Sequence, residues 1–135
     1  ELPREAIPWR GAYTLEFDVK PESEEDQYLF INGTVTHQYG LAMYIENGKL
    51  HASFLDADWE SHRWQTQLPV PPHAWSTIRA RADFEKITFT VGGKSESFPL
   101  TRPAFNIGFT VFGANWKGKP FRGRLRALRI EHNSW

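Results

Sequence analysis

Cysteine is absent, so no disulfide braces the chain and no thiol serves as nucleophile or metal ligand. Net charge is absent too, because 16 basic and 16 acidic side chains cancel. That balance gives no global attraction to nucleic acid or to an anionic membrane surface. No apolar run reaches the roughly 20 residues that a membrane-spanning helix needs. No leader with a basic start and an apolar middle is visible, and the first residue is Glu1 rather than Met. No convincing amphipathic helical pattern occurs, and no Gly-rich loop opens a helix to cradle a phosphate. The five histidines are scattered, without the spacing of a metal site. His37, His73 and His132 read as loop or surface residues.

What remains is a chain of 135 residues rich in bulky aromatics, with six Trp and ten Phe. This length suits one domain with a self-sufficient core. Residues 1–135 are therefore read as a single domain, either excised from a larger protein or a mature fragment. The opening Glu1–Arg10 carries two prolines and reads as an extended lead-in, with Trp9 packing near Trp135.

The stretch Tyr39–Leu55 organises the rest. Leu41, Met43 and Ile45 alternate with polar or small residues, Asn47-Gly48 follows, and Leu50, Ala52 and Phe54 alternate on the way back. Asn-Gly accepts positive φ at both central positions of a type I′ turn, whose twist fits a two-residue hairpin. A period of two puts one face on a core. The other face, with Ala42, Tyr44, His51 and Ser53, is expected to be free.

The same period recurs along the chain. Tyr13, Leu15, Phe17 and Val19 point one way and Thr14, Glu16 and Asp18 the other. Ile78, Ala80 and Ala82 form a second inward set, with Thr77, Arg79 and Arg81 outward; Trp75, which opens that strand, reads as core. Ile87, Phe89 and Val91 form a third, and Ile107, Phe109 and Val111 a fourth. Leu125, Leu128 and Ile130 break strict alternation, which predicts a bulge in the last strand. About ten strands in short runs, separated by turn signals, predict an all-β antiparallel sandwich.

Three stretches together resemble a known family. They are GLAMYIENGKL, WSTIRARADFEKITFTVGGK and FRGRLRALRI. The positions that carry the likeness are Gly48 and Leu50, then Trp75, Val91 and Gly93, then Phe121, Gly123, Leu125, Arg129 and Ile130. This pattern is similar to laminin-G-like, or concanavalin-A-like, lectin domains of the kind appended to bacterial polysaccharide-active enzymes. The resemblance implies a jelly roll of two antiparallel sheets, a secreted or periplasmic location, and carbohydrate binding. A fold of this kind hosts many functions, so the site has to be argued from residues.

Exposed Trp rings stack on the apolar C–H faces of sugars, and nearby His, Asn and Arg bond the hydroxyls. Trp59, His62, Arg63 and Trp64 gather around one polar loop, DADWESHRW. Asn115 and Trp116 offer the same chemistry in GANWKGKP. Tyr44 and His51 lie opposite each other on the hairpin. Each has a structural alternative: Trp64 as core, Trp59 covering an edge, Trp116 folded onto the sheet, and Tyr44 with His51 as a cross-strand pair. No cofactor is expected. Asp56, Asp58 and Glu60 offer the hard oxygens that calcium takes, but lack the Gly-containing loop of a strong calcium motif. A solvated acidic loop is the leading reading of this run.

Glu16 and Asp18 share a strand face at roughly 7 Å, near the separation of two glycosidase carboxylates. Hydrolases of the concanavalin-like fold carry Glu-x-Asp-x-Glu there; here the third position is Lys20. The reading that follows is a noncatalytic module that binds a polysaccharide or oligosaccharide, with no nucleic-acid or membrane partner. The alternative is a structural domain docked on an attached catalytic domain, its aromatics half of an interface.

Overall fold

A computed structural model of the chain describes residues 8–9, 12–32, 40–55, 61–100, 105–106, 110–112, 115–116 and 119–132. Nine longer strands form the frame: β2 (Tyr13–Pro21), β3 (Gln27–Asn32), β4 (Gly40–Glu46), β5 (Lys49–Leu55), β6 (Ser61–Pro69), β7 (Ser76–Ala82), β8 (Lys86–Val91), β9 (Lys94–Pro99) and β14 (Gly123–His132). Shorter segments are β1 (Pro8–Trp9), β10 (Phe105–Asn106), β11 (Thr110–Phe112), β12 (Asn115–Trp116) and β13 (Lys119–Pro120). The front sheet runs β11-β3-β4-β5-β6 and the back sheet β14-β2-β7-β8-β9. Two ribbons, β1-β10 and β12-β13, complete the pairing, and every ladder is antiparallel. The side chains of Trp9 and His132, and the whole of His37 and Trp135, lie outside the described residues. So do Ile107, Phe109 and the side chain of Val111.

The β4–β5 hairpin forms as its pattern predicts. Asn47 and Gly48 take φ of 54° and 77°, and Glu46 pairs with Lys49 around them. In the back sheet, Tyr13, Leu15, Phe17 and Val19 of β2 are fully buried. Across the strands, Leu15 faces Ala80 and then Phe89, while Tyr13 faces Ala82 and then Ile87. Small residues on the central strand leave room for the larger rings beside them, which interdigitating cores require. Leu29, Leu41, Met43, Ile45, Leu50, Ala52 and Phe54 supply the opposing front-sheet layer.

β14 carries the expected irregularity. Its register on β2 shifts between Arg126 and Arg129, and Ala127 has a φ of 58°. The extra residue lets Leu125, Leu128 and Ile130 all pack against the core, which strict alternation forbids. A second irregularity lies in β6, where Lys49 pairs with Pro69 but His51 pairs with Gln65. Thr66 fills the break: its buried hydroxyl donates to the Leu50 carbonyl (2.7 Å) and accepts from Leu68 N–H (3.1 Å).

Side chains also fasten the ends. Buried Gln27 donates to the Ser23 and Glu25 carbonyls (3.1 Å each) and accepts from Arg122 N–H (2.9 Å). The acidic β2–β3 loop is thereby tied to the start of β14. At the opposite edge, Glu96 of β9 crosses to the front sheet and accepts the Gln67 N–H of β6 (2.7 Å). Lys49 Nζ donates to the Gln67 side chain (2.6 Å). An edge N–H that would otherwise recruit another strand is thus capped.

Candidate functional site

The outer face of the front sheet carries a row across four strands: Tyr28, Tyr44, His51 and Gln65 are register partners on β3, β4, β5 and β6. Tyr28 and Tyr44 stack at 4.8 Å, and Tyr44 leans on His51 at 5.6 Å. The adjoining row is Ala42, Ser53 and Arg63. Sequence periodicity found Tyr44 and His51 on this face but left them free, and the structure corrects that. Tyr44 and His51 are each 6% exposed and Ala42 is buried as well. Tyr44 has Tyr28 on one side and His51 on the other, and all three are buried. Tyr28, equally buried, was missed because a register shift between Tyr28 and Phe30 disguises its parity.

Electrostatics follow from that packing. Burial pushes the Tyr28 and Tyr44 phenols above their ordinary value, with Arg63 acting in the opposite direction and Glu46 reinforcing the rise. Burial pushes the core Tyr13 phenol up further. His51 Nδ1 is buried without a hydrogen-bond partner and lies 3.6 Å from Glu46 Oε2. Arg63 and Gln65 are exposed and Ser53 is half-buried. The accessible chemistry on this face is therefore the Arg63 guanidinium and the Gln65 amide, standing beside a buried aromatic row.

The raised phenols set an alkaline limit. The folded state keeps protons that the unfolded state releases near pH 10. Their contribution is complete below that value and is lost as the pH climbs above it. Denaturant midpoints are expected to fall above about pH 10.

The loop cluster of the sequence divides in two. β6 alternates, so His62, Trp64, Thr66 and Leu68 turn inward and Ser61, Arg63, Gln65 and Gln67 outward. Trp64 is 7% exposed and belongs to the core, stacked with Phe54 (6.0 Å) and Phe98 (6.1 Å) and tilted on Phe89 (5.8 Å). It is a packing residue, not a sugar platform. His62 stacks on Trp64 at 5.5 Å from the half-exposed rim, on the opposite face of β6 from Arg63. Trp59, with Asp56, Asp58 and Glu60, lies outside the described residues. Asn115 and Trp116 form β12, paired with Pro120 and Lys119; their side chains lie outside the described set.

On the back sheet a different tryptophan is accessible. Trp75, expected in the core, is 38% exposed. It immediately precedes β7 and shares the parity of Thr77, Arg79 and Arg81, so it lands on the outer face. The guanidinium carbon of Arg126 sits 3.8 Å from the Trp75 ring centroid. A cation above an indole replaces the burial that the sequence reading assumed.

The two carboxylates of β2 are committed to ion pairs on the same face. Asp18 accepts from the Thr77 hydroxyl (2.7 Å) and from Arg126 Nε (3.1 Å), and Glu16 pairs with Arg129. The Thr77 hydrogen bond, then Arg126, holds the Asp18 carboxyl below the usual aspartate range. A glycosidase acid needs the opposite shift. Among the described residues no group of three or more His, Asp or Glu could hold a metal ion.

No protein-family model matches this chain, and no curated protein matches it by sequence. Solved structures do match in fold. Domain 4 of an extracellular GH43 arabinanase from Geobacillus stearothermophilus, in complex with arabinotriose, is 18% identical with a TM-score of 0.70. The match covers 95% of this chain and 63% of that one. Domains LG4-5 of the mouse laminin alpha1 chain are 19% identical with a TM-score of 0.72, covering 96% of this chain and 37% of that one. The CBM40 of a Ruminococcus gnavus IT-sialidase, bound to alpha2,3 sialyllactose, is 15% identical with a TM-score of 0.70; the shares are 94% and 79%. The chain has the antiparallel jelly-roll, lectin-like fold that these structures share.

Proposed function

We propose that the chain is a noncatalytic carbohydrate-binding module that grips a polysaccharide on the outer face of its front sheet. The observation that carries this is the Tyr28–Tyr44–His51 row edged by exposed Arg63 and Gln65. A guanidinium with five fixed donors and an amide with donors and an acceptor match a hydroxyl-rich ligand. The packed aromatic floor holds the sheet rigid beneath them, so little freedom is lost on binding. Arabinotriose and sialyllactose in two fold relatives support the ligand class. The arabinanase is extracellular, which supports a secreted setting. Among the described residues no helix is long and apolar enough to cross a membrane. Trp59, Asn115 and Trp116 remain candidates for stacking and hydrogen bonding on this reading.

Arg63→Ala is the direct test. A hydrogen bond from a charged group is worth about 1.5–3 kcal/mol, so affinity for the best polysaccharide in a panel is expected to fall roughly ten- to hundredfold. Arg63 is exposed, so its melting temperature is expected to stay within a few degrees of the parent's. Failure of the parent domain to bind any polysaccharide in the panel would rule the function out. Unchanged affinity of the variant would move the site elsewhere.

A further inference from the structure

The outer face of the back sheet carries chemistry that the front-face site does not use. Trp75 is held in place there by a chain of contacts. The Thr77 hydroxyl donates to Asp18 Oδ1 (2.7 Å), Arg126 Nε donates to Asp18 Oδ2 (3.1 Å), and the Arg126 guanidinium lies 3.8 Å from the indole centroid. An exposed ring fixed in this way loses little freedom when a ligand stacks on it.

Further along the face, Arg79, Arg81 and Lys86 are exposed around a shallow depression completed by Asp83, Thr88 and Thr90. Two of the nearby acids are occupied. Asp83 accepts from the Glu85 and Lys86 backbone N–H groups (2.8 and 2.9 Å). Glu16, the cross-strand neighbour of Arg79, is paired with Arg129. Thr88 and Thr90 line the floor, hydrogen-bonded to Ser97 and Ser95 (2.8 Å each). Arg79 and Arg81 stand two residues apart on one strand, about 7 Å, and Trp75 lies about 13 Å from Arg79. This is a stacking ring followed by forked cations along one line.

We propose that this face is a second polysaccharide-binding surface, for chains bearing sulfate or carboxylate groups, in which Trp75 stacks on a sugar ring and Arg79, Arg81 and Lys86 hold the anions. Arginine forks bond planar and tetrahedral oxyanions through two parallel N–H groups. The identity of the ligand as a sugar rests on the carbohydrate reading above, but no residue is shared with the Arg63 site. The acidic loop of a second copy, with Glu22, Glu24 and Glu25, is the competing occupant.

Dextran sulfate and dextran share a backbone and differ in charge, so affinity electrophoresis with each, at low and high salt, tests the proposal. Dextran sulfate is expected to bind at least about tenfold more tightly than dextran, with the difference shrinking as salt screens the charges. Trp75→Ala is expected to weaken dextran sulfate binding about tenfold and Trp75→Tyr to restore most of it. The double variant Arg79→Ala/Arg81→Ala is expected to weaken it about a hundredfold and flatten its salt dependence. Equal binding of the two dextrans overturns the proposal, as does unaltered affinity in a Trp75→Ala protein with a native melting curve. A dimer in sedimentation that dextran sulfate does not dissociate also overturns it. Loss of all neutral-glycan binding with dextran sulfate binding intact removes the Arg63 site and leaves this surface standing.

Discussion

Gly123→Ala is expected to destabilise the domain by roughly 2–5 kcal/mol, the sum of a strained backbone and a main-chain overlap. Gly123 opens β14 with a φ of +149°, a region that side chains rarely adopt. An added methyl would overlap the Lys20 carbonyl oxygen and sit 2.9 Å from Pro21 Cα and 3.1 Å from Glu22 N. All three are main-chain atoms, so no side chain can swing away. The pairing of Gly123 with Pro21 and the Glu22 N–H bond to the Arg122 carbonyl (2.9 Å) would both be disturbed. Thermal unfolding by circular dichroism measures the loss. Wild-type stability in this variant would show that the β2–β14 junction yields more easily than its geometry implies.

Phe89→Ala is expected to cost about 3–5 kcal/mol, the range for truncating a buried phenylalanine. Phe89 is fully buried and meets Trp64 at 5.8 Å and Phe98 at 6.1 Å. Its cross-strand neighbour on β7 is Ala80, too small to refill the space. Because Trp64 stacks with both Phe54 and Phe98, the void would loosen the contact between the two sheets. Denaturant unfolding gives the energy, and the near-ultraviolet dichroism of the indole reports the loosened cluster. A cost below about 1 kcal/mol would mean that neighbouring rings collapse into the gap.

Much of the scaffold was legible because strand parity is local. The inward sets of β2, β7 and β8 and the Asn47-Gly48 turn are written in residues next to one another. Even the β14 bulge showed as a break in alternation. What escaped was the second face. Parity tells which side chains leave the core, but not whether they then lie down on one another. Tyr44 and His51 do lie on the side that parity gives and do form the cross-strand pair it allows, but their burial also involves Tyr28, from a strand with a shifted register. Trp64 and Arg63 were grouped by sequence proximity, although neighbours in a strand face opposite ways. Trp75 failed for the converse reason. A large indole suggests core, and only the tertiary arrival of Arg126, 51 positions later in the chain, supplies its cover. The site residues are therefore set by contacts between distant strands, which one sequence does not display.

The carboxylate of Glu96 that reaches from β9 to the main chain of β6 has a consequence for life at high density. Copies at high concentration collide edge to edge far more often than in dilute solution. With that N–H already taken, a colliding copy meets charged and amide side chains at this position and finds one fewer main-chain donor to zip onto. Crowding then favours separate molecules over a growing ribbon.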